Sequence, residues 1–199
     1  MIVNDERCPD VADRKMERTR NVLGIAGSLR RGSYNRKLLE AARQLAPTGT
    51  SIEIFDLSDV PLYNGDVEAD GDPPAVRDLK QRIAAADALL IATPEYNGAM
   101  SGVLKNAIDW ASRPPERVLR GKLVAIVGAT PGRGDTSRAQ VSTRQVLGAV
   151  GAQVLDLPTV AIGGAGNRFD EAGNLIDDEV TASLRALLQA LADQVVIER

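Results

Sequence analysis

Val22-Leu23-Gly24-Ile25-Ala26-Gly27 is a short apolar run closed by glycine. It is too short for a helix and suits a strand buried on both faces. The run leads into Ser28-Leu29-Arg30-Arg31-Gly32-Ser33, a polar turn. Tyr34 to Leu45 follows, with Leu38, Leu39, Ala42 and Leu45 at helical spacing until Pro47-Thr48-Gly49 ends the pattern. The alternation of strand and helix then repeats along the chain. Ser51 to Asp56 reads as strand, Pro74 to Ala86 as helix, Ala88 to Thr93 as buried strand and Gly102 to Trp110 as helix. Leu123 to Gly128 is a strand, Thr136 to Val150 a helix and Gln153 to Ala161 a strand. Asp177 to Val196 is a final helix carrying Val180, Leu184, Leu187, Leu188, Leu191 and Val195 on its apolar side.

Five strands alternating with five helices, the strands almost continuously apolar, predict a doubly wound α/β fold with a parallel sheet covered on both faces. In such sheets ligands sit beyond the carboxyl ends of the strands, so the turns after Gly27, Thr93 and Gly128 are expected to face one crevice. The stretch between Asp56 and Pro74, with Asp59, Asp66, Glu68, Asp70 and Asp72 among glycines and prolines, reads as a long loop of solvated carboxylates.

The whole chain fits that plan. Its 199 residues, 44% hydrophobic and 26% charged, suit one globular domain. The domain is expected over residues 21–199, after an N-terminal extension of residues 1–20 that is half charged and has no apolar stripe. A formal charge of −3 without Lys/Arg runs argues against nucleic acid or an anionic membrane surface as partner. The chain has no histidine, which removes Ser-His-Asp and Cys-His catalysis and most zinc chemistry. Its one cysteine, Cys8, forms no intramolecular disulfide and reads as incidental. No apolar run approaches membrane-spanning length and the first residues lack a secretory core, so a cytoplasmic location is expected.

The turn after the first strand opens onto a helix, where backbone N–H groups and the helix dipole favour an anion. Gly27 and Gly32 have Walker A spacing, but Ser33 and Tyr34 stand where Lys and Ser/Thr are required, and G-x-G-x-x-G is absent. The turn offers the hydroxyls of Ser28 and Ser33, the amide of Asn35 and the guanidinium of Arg30, which suit a terminal phosphate monoester. Helix capping by Ser33 or Asn35 is the alternative reading. The turn Pro94-Glu95-Tyr96-Asn97-Gly98, after the third strand, presents one aromatic ring and several backbone groups, as a site for a flat heterocycle would. An ordinary turn with Tyr96 half buried is the alternative.

These two turns in order, with Gly102-Val103-Leu104-Lys105-Asn106-Ala107-Ile108-Asp109-Trp110 behind them, closely resemble the NADPH-dependent FMN reductase family, in particular its chromate and quinone reductase branch. The resemblance spans roughly residues 21–196. It implies a flavodoxin-like three-layer α/β/α sandwich whose five-stranded parallel sheet has the order 2-1-3-4-5. It also implies FMN as cofactor and NADPH or NADH as co-substrate. Ser28, Leu29, Arg30, Ser33 and Asn35 would surround the FMN phosphate; Pro94, Glu95, Tyr96 and Asn97 would line the isoalloxazine; Thr130 would stand beside the ring. A ping-pong transfer of two electrons to a small-molecule acceptor follows, a quinone or else flavin, an azo compound or chromate. A homodimer or homotetramer is expected as well. No catalytic acid or base is assigned, because hydride chemistry belongs to the cofactor.

The third turn departs from the family pattern. Asp135-Thr136 stands where a double glycine is usual, which restricts the backbone and adds a negative charge. Trp110, Leu104 and Ile108 read as core, while Arg113 and Arg138 fit either a contact or a cationic wall of the crevice. Two readings from other classes stay open: an electron carrier, which the modest net charge disfavours, and a flavin-binding regulatory module without turnover.

Overall fold

A computed structural model of the chain describes residues 18–156 and 158–195. The elements in chain order are β1 (Arg20–Ala26), α1 (Tyr34–Gln44), β2 (Thr50–Phe55), α2 (Gly65–Ala69), α3 (Pro74–Ala85) and β3 (Ala88–Ala92). They continue with α4 (Gly102–Ala111), β4 (Leu123–Ala129), α5 (Ser137–Ala149), β5 (Gln153–Val154), β6 (Val160–Ile162) and α6 (Asp178–Gln194). All strand pairs are parallel and run β2-β1-β3-β4-β5, with β6 also pairing to β4. This is the flavodoxin-like order. The chain grows outward from β1 to β2, then crosses to β3 and grows the other way, so the reversal lies between β1 and β3.

Side chains alternate across the strands. Val22 and Ala26 of β1 face Leu38 and Leu39 of α1 and Leu184, Leu187, Leu188 and Leu191 of α6. Leu23 and Ile25 face the other way, towards Leu79 and Ile83 of α3, Leu104 and Ile108 of α4 and Leu147 of α5. Each such fully buried leucine or isoleucine contributes about 1.5–3 kcal/mol of transfer free energy. Trp110 is fully buried, and its Nε1 donates to the Pro61 carbonyl at 2.9 Å. Trp110, Leu104 and Ile108 are thus core residues.

The sequence reading needs correction at the sheet edge and in the long loop. The expected fifth strand is two short ones, β5 and β6, both on β4. Pro158 between them has no N–H to donate to a ladder, and the Arg144 guanidinium donates to the carbonyls of Val154 and Leu155 there instead. The segment between β2 and α3 contains the short helix α2, capped by the Asn64 side chain, which accepts from Asp66 N. Two of its carboxylates are engaged: Glu68 accepts from the Tyr63 hydroxyl at 2.7 Å, and Asp72 pairs at 2.6 Å with the buried ammonium of Lys80. The sheet begins at Arg20, one residue before the expected domain start. Residues 1–17 of the expected extension, Cys8 included, lie outside the described residues. No helix among those described is long and apolar enough to cross a membrane.

Candidate active site

The turns after β1, β3 and β4 meet at the carboxyl edge of the sheet, where the strand order reverses. In the first, Ser28 and Ser33 are buried while Leu29, Arg30, Arg31 and Gly32 are exposed. Ser33 caps α1: its hydroxyl accepts from Arg36 N at 3.3 Å, and its own N–H donates to the Arg30 carbonyl at 3.1 Å. The backbone N–H groups of Ser28 to Gly32, Tyr34 and Asn35 have no partner among the described residues. The guanidinium groups of Arg30 and Arg31 likewise lack a carboxylate there. Unsatisfied donors at the positive end of a helix form an anion site. Ser28 is buried as a residue, and its hydroxyl makes no side-chain hydrogen bond among the described residues either.

Asn35, expected at the phosphate, has its side chain engaged elsewhere. Its carboxamide is buried, donates to the Ala129 carbonyl and accepts from Ala129 N, each at 2.9 Å. β4 runs past the end of β3 at this point, since the last β3 pair is Ala92 with Val127, so Ala129 lacks a strand neighbour on that side. Asn35 supplies the missing pair and binds the first turn to the third. Its backbone N–H, in the first turn of α1, has no partner among the described residues.

In the second turn, Tyr96 and Ala99 exchange both backbone hydrogen bonds at 3.1 Å. Asn97 and Gly98 between them have φ of 53° and 77°. Left-handed values at both central positions define a type I′ turn, for which Asn-Gly is the preferred pair. Pro94 is buried beneath the turn, and Tyr96 stands half exposed above it. Ser101 then caps α4, accepting from Leu104 N at 3.2 Å, and its hydroxyl donates to the Gly27 carbonyl at 2.6 Å. This residue fixes the second turn against the first. The sequence reading missed it, although a serine directly before an apolar helical repeat is a capping signal.

The third turn is closed from within. Thr130 donates its N–H to the Ile162 carbonyl and accepts from Ala165 N, leaving its hydroxyl facing its own loop, 3.4 Å from Gly132 N. Thr136 is fully buried against Gly128, where any Cβ would overlap the Thr136 hydroxyl and the Thr93 carbonyl oxygen. The Asp135 carboxylate accepts from Ser137 N at 2.8 Å, and this bond at the start of α5 holds its pKa below the ordinary carboxylate value. The Glu95 carboxylate reaches the same helix end, accepting from Ala139 N at 3.2 Å and from both Nε and Nη2 of Arg138, at 2.9 and 2.6 Å. Of the two ambiguous arginines, Arg138 therefore belongs to the frame of the crevice. Arg113 lies 5.4 Å from the Tyr63 ring and donates to the Asp109 carbonyl, in a contact of α4 with the segment before α2.

A parallel sheet with an open, donor-rich helix end and a rigid aromatic turn at its switch point defines a flavodoxin-like protein for a phosphate-bearing cofactor with a flat ring. The comparisons agree: the model of the NADPH-dependent FMN reductase family matches residues 20–167, and the chain belongs to that family. It is 55% identical to an NAD(P)H-dependent FMN reductase of Pseudomonas aeruginosa, over 85% of this chain and 92% of that protein. It is 38% identical to a quinone reductase of Pseudomonas putida, over 92% and 99% of the two chains. Among solved structures it superposes on FerB, a flavoenzyme NAD(P)H:(acceptor) oxidoreductase of Paracoccus denitrificans. The TM-score is 0.79 at 32% identity, covering 89% of this chain and 97% of that one.

Proposed function

We propose that the chain binds FMN in this crevice, takes hydride from NADPH or NADH and, in a ping-pong cycle, passes two electrons to a quinone. The observation that carries the reading is the open end of α1, with its unpartnered N–H groups, the free Ser28 hydroxyl and two arginines without carboxylates. Those donors match a phosphate dianion and leave no unmatched carboxylate among them. Ser28, Arg30, the backbone of Leu29 and Asn35, and the capped Ser33 hold the phosphate. Pro94, the Glu95 backbone, Tyr96 and Asn97 line the ring, with Thr130 beside it. FMN, once bound, supplies the hydride acceptor and the electron donor; the protein orients it and excludes competing reactions.

The quinone comes from the activity named for the relatives, and flavin, azo compounds and chromate are acceptors to assay beside it. Exposed apolar side chains on this side of the molecule, Leu29 at 52% and Tyr96 at 49%, support a homodimer or homotetramer. A cytoplasmic location fits the sparing use of cysteine. The test is anaerobic titration of FMN-loaded protein with NADPH, following flavin absorbance. Rapid two-electron bleaching, reversed by a quinone, is expected; bound flavin that stays oxidised overturns the reductase reading, and failure to bind FMN overturns the site.

A further inference from the structure

Arg138 has a side chain 78% exposed, yet its guanidinium is not free. Its Nε and Nη2 both donate to Oε1 of Glu95, whose own side chain is only 9% exposed. The Arg138 side chain also lies 3.8 Å from the position a Cβ on Gly98 would take, so it covers the outside of the type I′ turn. Glu95 Oε2 accepts from Ala139 N of α5. One carboxylate thus joins the ring-facing turn to a helix from a different part of the chain. Its carboxylate reaches the first turn of α5, while its backbone belongs to the second turn.

We propose that Arg138 is a positioning residue for the Pro94–Gly98 turn, and that it cancels the charge of Glu95 so that the flavin ring does not meet an uncompensated carboxylate. The inference rests on the flavin site proposed above. A nearly buried anion close to a group that gains electrons makes each added electron more costly, because Coulomb interactions are poorly screened away from water. Two donors on one carboxylate, with α5 behind it, remove that penalty and fix the height of the turn. The arginine fork matters for position and the positive charge matters for potential, so the two roles separate in variants.

The experiment measures the FMN dissociation constant by fluorescence titration and the two-electron midpoint potential by redox titration. It compares the wild type with Arg138→Ala, Arg138→Lys, Glu95→Gln and, as a control on the exposed face of α6, Arg185→Ala. Loss of a charge-assisted pair predicts an FMN dissociation constant about tenfold higher in Arg138→Ala, with a potential shifted negative. Arg138→Lys restores the potential but only part of the affinity, and Glu95→Gln shifts the potential in the positive direction. The control matches the wild type in both. If Arg138→Ala leaves both quantities unchanged, or Arg138→Lys moves the potential as far as Arg138→Ala, the proposal is overturned. A wild type that binds no FMN overturns the site reading instead. Because Arg138 is mostly exposed, thermal unfolding of the variants separates a loss of fold from these effects.

Discussion

Of the three helices that begin at the crevice, α1 and α5 treat their first turns in opposite ways. The end of α1 is left open: apart from the Ser33 cap, its donors face outward with Arg30 and Arg31 beside them. The end of α5 is closed by the protein's own anions, Asp135 on Ser137 N and Glu95 on Ala139 N, with Arg138 balancing the second. The same backbone dipole is therefore left open to an anion in one place and holds the frame together in the other. A helix terminus by itself says little about binding; what decides is whether the chain has already spent its donors.

The widest gap between the two ends should appear in cofactor affinity. Arg30→Ala with Ser33→Ala removes a cation and a cap from the open end, about 3 kcal/mol together, so FMN should bind about a hundredfold more weakly in a fluorescence titration. An unchanged dissociation constant would break the comparison. Next in size is Gly128→Ala, which drives a methyl group into Thr136 and the Thr93 carbonyl beneath the closed end. Overpacking of this kind costs about 3 kcal/mol, read as a lower midpoint in urea at constant slope. Asn35→Ala should cost about 2 kcal/mol of stability, because it leaves the N–H and C=O of buried Ala129 without their partner.

The smallest effect is at Asp135. Its folded pKa is depressed, so its contribution is present at neutral pH and is lost as pH falls through that value. Asp135→Asn should lower stability by about 0.5 kcal/mol near pH 7, and the difference from the wild type should vanish once the pH is well below about 3.9, the ordinary aspartate value. Because that carboxylate is directed at Ser137, Asp135→Gly should leave the flavin potential unmoved; a positive shift in a redox titration would place the charge against the ring after all.

What the sequence made legible follows from periodicity. Buried strands such as Ala88–Ala92 are short unbroken apolar runs and amphipathic helices such as Tyr34–Gln44 repeat their apolar residues at fixed intervals, so their existence and order could be read directly. The Asn97-Gly98 turn and the Ser33 cap also carry local signatures, so the two main turns of the site were visible. The split edge strand was harder, because Gln153–Val154 and Val160–Ile162 are too short to show a period. Long-range pairings left no local trace at all. The Asn35 carboxamide reads equally well as a phosphate contact and as a clasp on Ala129, and only the meeting of α1 with β4 decides between them. Glu95 likewise shows no sign in sequence that its carboxylate pairs with Arg138.

The position of β1 between β2 and β3 has a consequence for how the molecule assembles. β1, α1 and β2 are consecutive and can come together early, but the pairing of β1 with β3 must wait until the chain through α2 and α3 has been threaded back. Contacts of such sequence separation form slowly in parallel sheets. Two of the three turns at the crevice stand on those two strands, so neither is in place until that crossover is made. During refolding, recovery of flavin quenching should trail the return of helical signal, and added FMN should slow unfolding more than it speeds folding.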